Sequence, residues 1–241
     1  MDEAEQLSGE ELQEFLNNIP EEFNILEEEI DINLQMEYFE LSRKVKQDDT
    51  PFEIIQKDSD LLYSNETDNE TKKILLAKLA SFDEPSAFRI IEKYLKNCES
   101  DMLDFAKLAR YESKSQLESS LLGENKVFIS SGLGGKDNKL RYFMVLFSKN
   151  KESFSDTQKK VINNEFEMSV NTCDGVLEKT DFDHSYVKLL LLLPLRIDLK
   201  TTFKNTIKEC NQFGNFLKDN FLITNVKTLT NSEIEDFLTK R

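Results

Sequence analysis

The chain has no tryptophan, one histidine, three cysteines, four prolines and seven glycines in 241 residues. Each shortage excludes something. His184 must serve any mechanism that needs an imidazole, and no serine or cysteine nucleophile motif accompanies it. That argues against a hydrolase built on a histidine-containing triad. Cys98, Cys173 and Cys210 are far apart and form no CxxC or CxxH pair. A disulfide framework and a zinc site are therefore unsupported, and the cysteines read as buried thiols in a reducing compartment. Long apolar runs are missing too. The densest, Leu189 to Leu193, is five residues against the ~20 that span a bilayer. The opening MDEAEQLSGEE lacks the apolar stretch of a secretory signal. The expectation is a soluble, cytoplasmic protein without membrane attachment, so the Asn65 and Asn69 sequons carry no sugar. Scarce glycine and proline, set beside 18 phenylalanines, predict packed helices and strands rather than long loops.

Basic residues are scarce at one end. The first 70 positions hold 22 acids against Arg43, Lys44, Lys46 and Lys57, whereas the remainder holds 24 acids and 27 bases. Such asymmetry speaks of partners rather than of fold, and it disfavours nucleic acid, whose phosphates an acidic segment repels. Residues 1–20 mix acids with Leu7, Leu12, Phe15, Leu16 and Ile19. Ser8 and Glu11 suit a capping box opening a short helix that Pro20 ends. Two readings stand side by side for 1–20: a docked helix with solvated acids, or a disordered acidic arm that folds on a basic protein partner. Residues 21–47 read as one longer helix, with Phe23, Leu26, Ile30, Leu34, Leu41 and Val45 on one face.

Residues 51–122 read as short helices in series. Asp48-Asp49-Thr50-Pro51 is a helix start, Asp68 to Phe82 a helix broken by Asp83-Glu84-Pro85, and Ser86 to Leu95 the next. Asp101 to Tyr111 and Ser115 to Leu122 follow as two further helices, the last ending at Gly123. The passage Leu79-Ala-Ser-Phe-Asp-Glu-Pro-Ser-Ala-Phe-Arg-Ile-Ile-Glu-Lys-Tyr-Leu-Lys-Asn resembles HEAT-like helical repeats over about residues 70–122. The resemblance implies a short stack of helix pairs with binding surfaces rather than chemistry. It spans one and a half units, fewer than the roughly three that stand alone, so neighbouring segments must cap it.

After Gly123 the period changes to that of strands. Strands are expected at 126–130, 140–147, 175–179, 186–197 and 221–229, and helices from Ser155, over Leu199 to Leu217, and after Asn231 or Ser232. The order β-β-α-β-β-α-β-α predicts an antiparallel sheet with helices on one face, similar to ferredoxin-like or ACT-like domains. The whole chain is thus read as α+β: an acidic arm over 1–20, a helical region over 21–122 and an α+β domain over 123–241.

Three clusters invite a functional reading. Gly132-Leu-Gly-Gly-Lys136 imitates a phosphate loop, but it lacks the Walker spacing and leads into a strand, which a hairpin turn explains better. Asp181, Asp183 and His184 could ligate a metal, yet Thr180 to Ser185 also reads as a polar turn between strands. Lys149, Lys151, Lys159 and Lys160, near Tyr142 and Phe143, form the densest basic cluster of the body and a docking place for the chain's own acidic start. No residue is assigned as catalytic, cofactor-binding or metal-ligating. The expectation is a non-enzymatic interaction or adaptor protein of a bacterial cytoplasm, binding through its acidic start and helical surface. The alternative is an ACT-like sensor holding a small molecule near Gly132 to Gly135. An enzyme built on Asp181, Asp183 and His184 comes third.

Overall fold

The computed structural model describes residues 23–123 and 127–239. The helix expected between Ser8 and Ile19 lies outside them. The described chain divides into two compact units, Ile30–Phe128 and a second made of 23–29 with 129–239.

The first unit is helical. Its elements are α1 (Ile32–Val45), α2 (Phe52–Asp58), a 3-10 turn (Ser59–Tyr63), α3 (Asn69–Ala80), α4 (Pro85–Leu95) and α5 (Ser100–Leu122). Caps set the boundaries. The Asp31 carboxylate accepts from Asn33 and Leu34 backbone N–H, and that of Asp68 from Thr71 N–H. Pro85 opens α4, and Gly123, in the left-handed region at φ 68°, ends α5. Helices α3 and α4 pack on α5, and α1 packs on both α3 and α5. Ala77, Ala80, Ala87, Ala106 and Ala109 are fully buried, so backbones approach closely where the helices meet. Tyr38 is buried beside Phe105, and its hydroxyl donates to Glu112, which also accepts from Ser42 and pairs with Lys46.

Two expectations fail over this stretch of the chain. Residues 21–47 are not one helix: Phe23–Ile25 form strand β1, and the helix begins only at Ile32. The Asp31 cap fixes that start, and Leu26 and Ile30, read as a helical face, are buried from a non-helical stretch. The break near residue 113 is also absent, since α5 is continuous. Ser113 is fully buried and Glu112 is held by Tyr38, Ser42 and Lys46, so tertiary contacts override weak helix propensity there.

The second unit is built on an antiparallel sheet. Its elements are β1 (Phe23–Ile25), the end of β2 (Val127–Ile129), β3 (Gly135–Lys136), β4 (Lys139–Ser148), α6 (Asp156–Thr172), β5 (Val176–Asp183), β6 (Tyr186–Pro194), α7 (Leu199–Gln212), β7 (Leu217–Thr224) and α8 (Asn231–Thr239). The strands run β7-β4-β6-β5, with the short β3 sharing with β7 the outer side of β4. Strands β4 and β5 thus sit one strand apart with β6 between them, and β6 and β7 with β4 between them, as two interleaved split β-α-β units. Ser155 and Gln158 form a full capping box at α6.

Each sheet face has its own core. Met144, Leu146, Val187, Leu189, Leu191 and Leu193 meet Ile162, Phe166 and Val170 of α6 and Phe203, Ile207 and Cys210 of α7. Phe143, Val145, Phe147 and Tyr186 point the other way, onto Leu133 and Ile234 of α8. The five leucines of β6 therefore serve both faces by alternation. Helix α7 stops at Gln212 and Leu217 starts β7, because Gly214 and Asn215, both at positive φ, turn the chain. The strand expected at 221–229 accordingly begins four residues earlier.

Candidate functional site

The glycine-rich turn is closed by backbone rather than open to a ligand. A Cβ on Gly132 would overlap Val226 O, and one on Gly134, at φ +65°, would overlap Glu27 O and Glu28 O. Gly135 N–H donates to Glu27 O at 3.2 Å, and Leu133 N–H to Asn225 O at 3.0 Å. The glycines let the 23–29 segment and the chain after β7 close over the turn. The sequence signal was real, but it marked close backbone approach and not a phosphate cradle.

Asp181 and Asp183 lie on strand β5 and not in a turn. The β5–β6 pairing runs to Asp183 opposite Tyr186, which leaves His184-Ser185 as a two-residue hairpin. Asp183 is the hub of a polar network. It accepts from His184 N–H at 2.8 Å, Asn231 Nδ2 at 3.0 Å and the Tyr186 hydroxyl at 3.2 Å, with Lys188 Nζ at 3.8 Å. The His184 N–H, then Tyr186, Lys188 and Asn231, hold its carboxyl below the ordinary range. Burial, then Asp183, pushes the Tyr186 phenol up to about 12. The His184 ring has a different partner, with Nδ1 2.9 Å from Ser153 Oγ. Sequence reasoning grouped the three residues, and the structure separates the histidine from the carboxylates. Among the described residues no three His, Cys, Asp or Glu side chains gather as metal ligands would. Beside the network, Phe143, Lys179, Asp181, Lys188, Leu190 and Leu229 line a cleft of about 310 Å³.

The basic cluster of the sequence is dispersed. Lys149 Nζ donates to Asn215 at 2.9 Å, and Lys159 lies over the Phe182 ring at 5.8 Å. Tyr142 faces the α6–α7 core and Phe143 the opposite one. A different basic feature emerges instead. Lys200, Lys204 and Lys208 recur every four residues on α7, all exposed, while Phe203, Thr206, Ile207 and Cys210 are buried. No ion pair or side-chain hydrogen bond of these three ammonium groups occurs among the described residues. Lys200 and Lys204 form one wall of a groove of about 340 Å³, with Leu199, Phe221 and Ile223 supplying apolar surface and Asp219 and Asn220 completing the lining. The other wall is β7, which pairs only with β4 and so presents an unpaired edge among the described residues. Its register is regular from Phe221 to Thr224. The opposite edge strand, β5, is blunted by a bulge between Leu177 and Lys179 and by its charges. The i, i+4, i+8 lysine spacing was legible in the sequence; that α7 sets it beside a free strand edge was not.

The cysteines carry no such site. Cys210 is buried in the α6–α7 core, where desolvation pushes its thiol up to about 12, and Cys98 is raised for the same reason. In the helical unit, Tyr94 is likewise pushed up to about 12 by burial, beside Tyr63 and Lys93. Among the described residues no helix is long and apolar enough to cross a membrane.

No protein-family model matches the sequence, and no curated protein matches it. Among solved structures, a chain described as a "putative transposase" from Deinococcus radiodurans aligns at 15% identity with a TM-score of 0.36. That alignment covers 42% of this chain and 90% of the other. A likeness that weak carries no argument about fold or function.

Proposed function

We propose that this chain is a non-enzymatic interaction or adaptor protein of the bacterial cytoplasm, and that the α7–β7 groove is one of its binding surfaces. The observation that carries the reading is the groove's chemistry. A free strand edge offers main-chain hydrogen bonds, Phe221 and Ile223 offer apolar seats, and Lys200 and Lys204 offer charge to an acidic peptide. The acidic start of the chain, with its few large apolar residues, supports a second contact with a basic partner, and the helical unit supports a third. The HEAT-like resemblance, which implies binding surfaces rather than chemistry, supports the same reading.

The test is affinity capture from the source organism's lysate with three full-length baits: wild type, Lys200→Glu/Lys204→Glu, and a variant with acids of 1–20 replaced. A protein captured by wild type and lost with either variant supports the adaptor and names the surface used. Identical captures by all three baits count against both surfaces.

A specific observation favours one second reading, a small-molecule sensor. The cleft beside Lys179, Lys188 and Asp181 has both apolar and ionic walls, unlike the glycine turn, which backbone fills. A rise in melting temperature with a small anionic metabolite, abolished by Lys179→Ala, supports it. A flat response across an anion panel removes it.

A further inference from the structure

We infer that the partner of the α7–β7 groove is an extended peptide that joins the sheet beside β7 and carries an acidic residue at every second position. The inference deepens the adaptor reading and rests on the groove assigned there. It follows from the state of the strand edge and from the spacing of the lysines beside it. Open sheet edges are ordinarily blunted by charge, proline or a bulge. The charges of β7, Lys218 and Asp219, are confined to its start, and its register against β4 is unbroken from Phe221 to Thr224. That stretch is half-buried and holds no proline or glycine. Phe221 and Ile223 pack on the α6–α7 core, and Leu222 on the opposite one. A strand added beside β7 follows the same alternation, so every second side chain of it lies on the α7 side.

The lysines match that alternation. Lys200 and Lys204 line the groove, and Lys208 stands one turn further along α7. Residues four apart on a helix are separated by ~6 Å along its axis. Alternate residues of a strand are ~6.7 Å apart, so successive acids meet successive lysines. Glutamate suits the α7-side positions, because its methylenes cover Phe221 and Ile223 while its carboxylate meets an ammonium. β-Branched residues suit the intervening positions beside Leu222. One acid, Asp219, lines the groove, and it lies before the regular stretch begins. Charge also chooses between occupants. A second copy joined β7 to β7 would be related by a twofold axis through the sheet, which sets α7 beside α7 and doubles the lysine row. Like charges oppose that pairing, whereas an acidic strand neutralises the row.

The experiment uses the full chain and two synthetic peptides of one composition, Glu-Val-Glu-Val-Glu and Glu-Glu-Glu-Val-Val, each flanked by Gly-Ser. The alternating peptide is expected to bind about tenfold more tightly than the block peptide. It should protect the amides of Phe221 to Thr224 from exchange, and both effects should vanish in Lys200→Glu/Lys204→Glu. Methylating the main-chain nitrogens of one residue type, Glu or Val, is expected to abolish binding, and of the other to leave it, because a strand turns alternate donors to opposite sides. Full binding by both methylated peptides overturns strand addition. Equal affinity for the alternating and block peptides, lost in Lys200→Glu/Lys204→Glu, also overturns it but keeps the groove as a surface for acidic peptides. Binding that survives Lys200→Glu/Lys204→Glu, or no binding by either peptide, sinks both levels. Protection of Phe221 to Thr224 that rises with protein concentration in the absence of peptide overturns the inference in favour of a second copy as occupant.

Discussion

The two units bury different kinds of surface. The α+β unit closes over mainly aliphatic and aromatic side chains on the α6–α7 face, with Phe166 and Phe203 stacked at 5.9 Å between the helices. The helical unit instead buries Tyr38 against Glu112, and Ser42 and Lys46 converge on the same carboxylate. The first arrangement gains from area removed from water and tolerates no void. The second gains specificity of helix placement and tolerates no missing partner. Hydrogen exchange followed by mass spectrometry reads the units separately and is the natural way to test that contrast.

The largest expected effect is in the apolar core. Phe203→Ala removes a fully buried ring that also meets Phe221 edge-on. A loss of ~3–5 kcal/mol is expected, registered in β4, β6 and α6. A cost under ~1 kcal/mol would show that this face repacks freely, against the reading of a dense core. Next comes Gly134→Ala in the same unit. The new methyl would collide with Glu27 O and Glu28 O at a position already in the left-handed region, so ~2–3 kcal/mol is expected, with the 23–29 segment losing protection first. Unchanged protection there would mean that the turn and the 23–29 segment are not packed as described.

In the helical unit, Glu112→Ala leaves the buried Tyr38 hydroxyl and the Ser42 hydroxyl without their acceptor. About 2 kcal/mol is expected, confined to α1 and α5. Tyr38→Phe added to it should recover part of that loss, because an apolar ring needs no acceptor. A double variant as unstable as the sum of the two singles would show that Tyr38 and Glu112 are not coupled.

The contrast also explains what was legible in the sequence. Local signals fixed most of the elements: the Asp68 and Ser155 caps, Pro85, Gly123, and the alternation of Leu189 to Leu193. The failures were of one kind. At 23–31 an apolar spacing of three and four suited a helix, yet backbone carbonyls of Glu27 and Glu28 were needed over Gly134. At 112–114 local propensity suggested a break, yet a buried polar cluster ran the helix through. Charge showed the same limit. The densest run, Lys149 to Lys160, is scattered by a loop and a helix, whereas three lysines spread over nine residues of α7 line up beside a strand edge. Spacing within one element is written locally. Which element lies opposite it is decided by the sheet order, and no local pattern carries that.

The smallest effect concerns α8, where the two modes of burial meet in one short helix. Ile234 and Phe237 attach it to the sheet by apolar contact, and polar groups fix its start. Thr230 and Glu233 cap each other, with Glu233 Oε2 accepting from Thr230 N–H at 2.9 Å and Thr230 Oγ1 accepting from Glu233 N–H at 3.3 Å. The Lys227 ammonium, then the Thr230 backbone and hydroxyl, bring the Glu233 carboxyl down to about 2. Asp183, lowered by the His184 N–H above all, ties Asn231 to the sheet. Both carboxyls bind a proton less readily folded than unfolded, so their stabilisation is complete above the ordinary carboxylate range. It is lost as pH falls through the folded values. Lowering the pH from 5 towards 2 should therefore deprotect α8 before β4 or β6. Glu233→Gln should shift that loss to neutral pH while leaving the sheet unchanged. Should α8 keep its protection down to pH 2, apolar contact through Ile234 and Phe237 alone would hold it, and the polar start would be a surface ornament of the same dispensable kind as an exposed ion pair.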